Sequence, residues 1–410
     1  MSKLLELFLG ILTAMGGFVE IGELTFMMNA GSQFDYRLLW VVLLGVLGIM
    51  VYGEISGRIA AVRGQAVFNV IRERAGLRLG LLTLVSATLV CLLTCAAEIG
   101  AIALLWQLLS GWPYRVLILL ALVLLLLVIW WLPFKWIERV FGLFGLLMVV
   151  FVVVAWKLQP DWDQVAAGLV PSLPAAGDSK LLFAYYAVAL ISAVMLPYET
   201  NFYASGAIED HWTARDLRLN RAIVIVGFGL GGVLAASLMI VGKLYLGPQQ
   251  IEAGLPGTAA LAAAAQLGRG GLWLALAGMF FAFAGAAIET AMASAYNLAQ
   301  FLGWPWGKFR APRNAPRFAL SWAIALLLAT LLILTGLDPI KVVEYSIVFS
   351  VVILPLTYFP LMVISRDPEV MGVHVNGPLA SVLGWAYFVL ISIAAIAAIP
   401  LLVLTHGGQG

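Results

Sequence analysis

Gly16-Gly17-Phe18-Val19-Glu20-Ile21-Gly22-Glu23 and Leu196-Pro197-Tyr198-Glu199-Thr200-Asn201 are the two stretches whose reading decides the fold. Each combines helix-breaking residues with carboxylates inside an otherwise apolar run. Gly disfavours a helix by about 1 kcal/mol relative to Ala, and Pro removes a backbone donor and clashes with the preceding turn. A carboxylate within a membrane span costs about 3 kcal/mol on insertion scales, so it marks a functional site by default. When such residues fall on interrupted segments at matching places in two halves, they point to a transporter's substrate site.

The rest of the chain is apolar enough to make these stretches stand out. It has 410 residues, 63% hydrophobic and 11% charged, with a mean hydropathy of +1.03. Soluble domains carry about 25% charged residues, so the chain is expected to be an all-α polytopic membrane protein. Apolar runs long enough to cross about 30 Å of hydrocarbon fall near 6–31, 37–62, 80–109, 114–133, 137–157, 181–206, 219–245, 271–300, 317–336, 340–364 and 379–404. No cleavable leader pattern precedes the first of them. Cations cluster in one set of loops, with Arg63, Arg72, Arg74 and Arg78, then Arg215, Arg218 and Arg221, then Lys308, Arg310, Arg313 and Arg317. By the positive-inside rule that face is cytoplasmic, which places the N-terminus inside and the C-terminus outside a cell inner (plasma) membrane.

The last span, 379–404, carries no acidic residue and reads as a peripheral addition. The remaining ten divide into repeats at about 6–157 and 181–364 within one transporter domain, 1–410. Five spans per repeat give the halves opposite topology, and spans 1 and 6, each carrying one break, then correspond. Cys91 and Cys95 lie four apart in an apolar run and read as packing residues, and His211, His374 and His406 fall in loops or the tail. With no thiolate or imidazole at the two breaks, the donors available there are hard oxygens, from Glu20, Glu23 and Glu199 with Asn201 beside them. Carboxylates and carbonyls suit Mg²⁺, Ca²⁺ and Mn²⁺. Glu98 and Glu289, also mid-span, are either hydrogen-bonded structural residues or members of an ion or proton path. Met195 reads as packing. No nucleophile and base pair up within the spans, so no enzyme is expected. Nor is a cofactor or a nucleic-acid partner. The expected partners are a divalent metal ion, as substrate, and the lipid bilayer; the oligomeric state stays open, with a monomer sufficient.

These residues with their surroundings resemble the NRAMP family of divalent metal transporters, and in particular its divergent bacterial branches akin to NRAMP-related magnesium transporters. Further stretches that carry the resemblance are Leu38-Leu39-Trp40, Ile55-Ser56-Gly57-Arg58, Ala97-Glu98-Ile99-Gly100-Ala101, Gln159-Pro160-Asp161-Trp162, and Leu354-Pro355 through Met371-Gly372. The resemblance implies a LeuT-like fold, ten core helices in a 5+5 inverted repeat, with spans 1 and 6 unwound around the metal. Typical members carry Asp-Pro-Gly-Asn where this chain has Glu20-Ile21-Gly22-Glu23, and Met-Pro-His-Asn where it has Leu196-Pro197-Tyr198-Glu199. The family's metal-binding thioether position is thus Leu196, its later span 6 histidine aligns with Tyr203, and its span 10 glutamine aligns with Ile347. Soft sulfur is lost and anionic oxygen gained, which favours a hard divalent cation, Mg²⁺ or Mn²⁺ foremost. The rival reading is a LeuT-fold carrier of a cationic organic substrate such as an amine or amino acid.

Overall fold

The structure is a computed structural model that describes residues 7–8, 10–11, 20–74, 76–132, 134–251, 253 and 255–408. The stretch Gly16-Gly17-Phe18-Val19 of the first break, and most of the first expected span before Glu20, lie outside the described residues. The described chain is helical throughout, with no strand among the described residues.

In chain order the helices are α1 (Ile21–Phe34), α2 (Leu39–Arg63), the short α3 (Val67–Arg74), α4 (Gly76–Ser110), α5 (Tyr114–Trp131), α6 (Phe134–Gly145) and α7 (Val150–Lys157). Then follow α8 (Trp162–Gly168), α9 (Lys180–Val194), α10 (Pro197–Glu209), α11 (Leu217–Val241), α12 (Pro256–Leu302), α13 (Pro316–Leu334), α14 (Pro339–Ile364), α15 (Pro368–Met371) and α16 (Pro378–Leu404). Ten membrane-length apolar segments lie among the described residues, matching the expected spans 2 to 11. The remaining span is represented by α1. Capping residues set several of the starts. Asp161 accepts from the amides of Asp163 and Gln164 ahead of α8, Ser179 from Leu182 ahead of α9, and Asp338 from Ile340 ahead of α14.

The structure departs from the expected spans in three places. The eighth begins at Pro256 rather than near 271, because its helix runs on through a kink at Gly268 (φ 65°, ψ −156°), a conformation glycine alone adopts without strain. The fifth passes through a tight 3₁₀ turn at Leu146–Val149. The seventh leaves α-helical pairing after Val241 for a π turn, Gly242–Leu246.

Burial sorts the helices into a centre and a rim. The α9–α10 span is 72% buried within the protein, whereas α5 and α16 are each 28% buried, so the latter turn most of their surface to lipid. Leu119, Val123 and Leu127 on α5, and Val389, Ile393 and Ile396 on α16, are exposed accordingly. Around the centre, α4 lies along α12 and α14, α2 packs on α10 and α11, and α1 is held between α9, α11 and the π turn.

That last contact is unusually close. A Cβ on Gly31 of α1 would collide with the Met239 carbonyl, and a Cβ on Gly242 with the Met28 carbonyl. The two backbones approach through reciprocal glycines, and backbone cannot swing aside as a side chain can. Gly31→Ala and Gly242→Ala should therefore each destabilise the protein by roughly 1–3 kcal/mol, read as a lower thermal-unfolding midpoint in detergent. Gly145→Ala, at a helical position with nothing within 4 Å, should leave that midpoint unchanged or raise it; equal losses for all three would refute the close-approach account.

Candidate cation site at the two helix breaks

Glu20 stands at the start of α1 with extended backbone (φ −80°, ψ 162°), and its carbonyl accepts the Leu24 amide at 3.1 Å. The first amides of any helix lack intrahelical partners. One of them, Ile21 N–H, donates to Glu98 Oε1 of α4 at 2.9 Å. Glu98 thus caps α1 from a different helix, and only its Oε2 is left without a hydrogen bond. Of the alternatives open for Glu98, this contact places it directly against the first break.

The second break is a two-residue gap. α9 ends at Val194, Met195 (φ −103°, ψ 56°) leaves the helix, and Leu196 is extended (φ −66°, ψ 124°). Pro197 opens α10, where its missing N–H costs nothing. Side-chain hydroxyls tie the gap and its flanking helices to their neighbours. Tyr358 of α14 donates to the Met195 carbonyl at 3.4 Å, Ser56 of α2 to the Thr200 carbonyl at 2.8 Å, and Ser192 to the Ile347 carbonyl at 2.5 Å. The two breaks meet through one bond, Tyr198 Oη donating to Glu20 Oε2 at 3.0 Å. Gly22 faces the Ile347 side chain and Glu20 Oε1, with no room for a Cβ against Ile347.

The carboxylates are sealed from solvent. Glu20 is 3% exposed, Glu23 0%, Glu98 0% and Glu199 2%. Glu23 lies within electrostatic reach of both Glu20 and Glu199. Both carboxylate oxygens of Glu23, both of Glu199, and both amide atoms of Asn201 have no hydrogen-bond partner. Buried polar atoms are nearly always paired, so a cluster of orphans calls for a missing ion or water. None of the ion pairs among the described residues involves Glu20, Glu23, Glu98 or Glu199; the cations pair instead as Arg58 and Arg221 with Glu54, Arg74 with Asp367 and Glu369, and Lys243 with Asp35.

Two helix N-termini provide part of the balance. α1 and α10 both begin at the site, and Glu23 and Glu199 occupy their first turns. Each such end carries roughly half a positive charge. Together they offset about one of the carboxylates and leave the others uncompensated. The convergence expected of Glu20, Glu23 and Glu199 is nonetheless partial. Among the described residues, no three His, Cys, Asp or Glu side chains close on one point at metal-ligand distance.

The other expected residues are dispersed. Asn201 is buried one turn along α10. Tyr203 points away from the carboxylates: its hydroxyl donates to Asn220 Oδ1 of α11 at 2.7 Å, and the Asn220 amide donates to the Glu54 carbonyl. Glu289, half-buried on α12, reaches Glu199 electrostatically. The Met195 thioether lies against Gly48 of α2, which the Tyr387 ring of α16 also approaches. Sequence reasoning assigned no role to Tyr198, although it lies inside the motif; its bond to Glu20 spans 178 positions and leaves no local signature.

A family profile described as natural resistance-associated macrophage protein-like matches residues 10–400. The chain is 29% identical to the divalent metal cation transporter MntH of Deinococcus radiodurans over 91% of its length and 85% of that protein's. It is 27% identical to MntH of Mycobacterium leprae, covering 94% and 89%. In fold it is similar to the Eremococcus coleocola manganese transporter crystallised with an aromatic bis-isothiourea compound (TM-score 0.77, 21% identity, 95% of this chain and 85% of that one). It is similar also, at a TM-score of 0.61 and 15% identity, to the nucleobase-cation-symport transporter Mhp1, covering 98% and 91%. The ten spans and the LeuT-like arrangement agree with these likenesses, and the profile spans almost the whole sequence: the chain belongs to the Nramp family.

Proposed function

We propose that the chain is a secondary transporter that takes up a hard divalent metal cation, Mg²⁺ or Mn²⁺ foremost, by alternating access between halves at about 6–157 and 181–364. The curated relatives are named as divalent metal cation transporters, which supports the ion class. The observation that carries the reading is the set of buried, unpartnered oxygens of Glu23 and Glu199 beside Glu20, with no basic side chain paired to them. In this reading Glu20, Glu23 and Glu199 are ligands. Asn201 and the carbonyls freed at Met195–Leu196 complete the shell, and the carboxylates close fully only when the dication arrives to cancel their repulsion.

The substrate's hardness follows from what faces the site. Leu196 stands where the resemblance places a thioether, and the neighbouring sulfur of Met195 is turned onto Gly48. Oxygen-only coordination suits Mg²⁺, which dehydrates reluctantly and keeps several waters. Glu98 positions the start of α1. Tyr203, tied to Asn220, stands where the family has a histidine linked to proton movement, so any coupled proton passes through a glutamate. The basic face, with Arg63, Arg72, Arg74, Arg310 and Arg313, is cytoplasmic, placing the C-terminus outside a plasma membrane. A cysteine introduced at His406 should then react with an impermeant maleimide in intact cells, while one at Arg313 reacts only after lysis; the reverse pattern inverts the topology.

Uptake into proteoliposomes, with Mg²⁺, Ca²⁺ and Mn²⁺ in competition at two external pH values, tests the ion and the coupling together. Mg²⁺ and Mn²⁺ should enter and compete, and Glu23→Gln and Glu199→Gln should each cut uptake by roughly tenfold or more. Metal binding without flux would mark a receptor, and binding of organic amines without metal would mark the rival carrier.

Leu196→Met restores the thioether at the break. It should raise the uptake ratio of Mn²⁺ to Mg²⁺ by roughly tenfold, since a soft donor disfavours the harder ion. An unchanged ratio in a well-folded variant would show that residue 196 does not face the ion.

A further inference from the structure

A cavity whose lining includes no residue of either helix break lies on the basic face, where α5 ends and α13 begins. It has a volume of about 470 Å³ and is walled by Trp130 and Leu132 of α5, Met292 of α12, and Phe318 and Trp322 of α13, with Arg310 at its rim. Trp130 packs edge-on against Trp322 at 6.2 Å. Trp130 and its neighbour Trp131 are 54% and 74% exposed, at the depth where tryptophans mark a membrane–water boundary. Exposed tryptophans therefore flank the cavity, and none of its lining residues belongs to either helix break.

The charged side chains of its described lining are basic, and a carboxylate beside it, Glu209 against Gly307, is engaged by Tyr296 and by the charge of Lys308. No Asp or Glu occurs among the described lining residues. Arg310 lines it, Arg313 and Arg317 follow in sequence, all three are exposed, and none makes an ion pair among the described residues. Arg317 instead lies over the Trp304 ring at 5.4 Å. Lys308, which also lines the cavity, is engaged elsewhere, with its charge acting on Glu209 and its ammonium 5.0 Å from the Phe309 ring. Arg310 is thus the cation left to meet a ligand. An apolar slot flanked by exposed tryptophans, under an unpaired guanidinium at headgroup level, is complementary to a lipid tail joined to a phosphate. Guanidinium binds phosphate through two parallel N–H donors, and basic pockets between membrane helices on a cytoplasmic face accept anionic headgroups.

We propose that this crevice binds an anionic phospholipid, with its phosphate against Arg310 and an acyl chain between Trp130 and Trp322. The site is independent of the transport reading, since neither the metal nor the two breaks take part.

The test is native mass spectrometry of the full chain in detergent, titrated with dioleoylphosphatidylglycerol or with dioleoylphosphatidylcholine, which has the same acyl chains. Phosphatidylglycerol should be retained with a roughly fivefold lower apparent Kd, the effect of about one basic residue at an anionic surface. Arg310→Gln should abolish that preference without shifting the thermal midpoint. Trp130→Ala should weaken both lipids alike, and glycerol 3-phosphate should not displace the bound lipid. Equal retention of the two lipids in the wild type, or a preference that survives Arg310→Gln, overturns the proposal. Displacement by glycerol 3-phosphate at similar concentration also overturns it, because the site would then read a soluble phosphate.

Discussion

Negative charge at the centre of a bilayer has to be balanced, and the architecture around Glu20, Glu23, Glu98 and Glu199 is organised by that need. Each of these side chains is almost wholly removed from solvent, where an isolated carboxylate is costly. The protein answers with dipoles and single hydrogen bonds rather than with lysines or arginines. Two helix starts point at the site, one tyrosine hydroxyl reaches Glu20, and one amide reaches Glu98. These contributions stop short of neutrality. The shortfall leaves negative charge that a cation would balance.

The backbone obeys the same economy. Unpaired peptide groups at membrane depth are tolerated only where they line a cavity or find a partner in the protein. At the Met195–Leu196 gap the Tyr358 hydroxyl of α14 supplies such a partner to the Met195 carbonyl, while Ser56 ties the Thr200 carbonyl of α10 to α2 and Ser192 ties α9 to the Ile347 carbonyl of α14. The break is therefore braced by the helices around it, and its geometry depends on their packing. The reciprocal glycines at Gly31 and Gly242 brace α1 in a similar way, holding it to the π turn.

Much of this was legible in the residues alone, for definable reasons. The spans follow from hydropathy, and the split in the sixth follows from Pro197 beside Glu199. Burial of Glu20, Glu23 and Glu199 together follows from pairing the two interruptions. What stayed hidden arises from contacts distant in sequence. Glu98 capping Ile21 spans 77 positions, and Tyr203 turning to Asn220 depends on where α11 lies. The early start of α12 was masked because Gln266 and Arg269 interrupt the apolar run just where Gly268 bends it. The π turn has no local signal, since its cause is the close approach of Met28. The Gly16-Gly17 part of the first break lies outside the described residues.

The orientation of Met195 has a further consequence. Its sulfur is one peptide unit from Leu196, yet it is spent filling the notch above Gly48, between α2 and α16. Which donors face the breaks is thus set by a rotation of the chain rather than by its inventory of atoms. An inventory scored by composition would count a thioether beside the carboxylates and infer a soft, sulfur-assisted pocket. The folded backbone sets that atom against α2 instead, and the polar atoms left unpartnered at the breaks are the oxygens of Glu23 and Glu199 and the amide of Asn201.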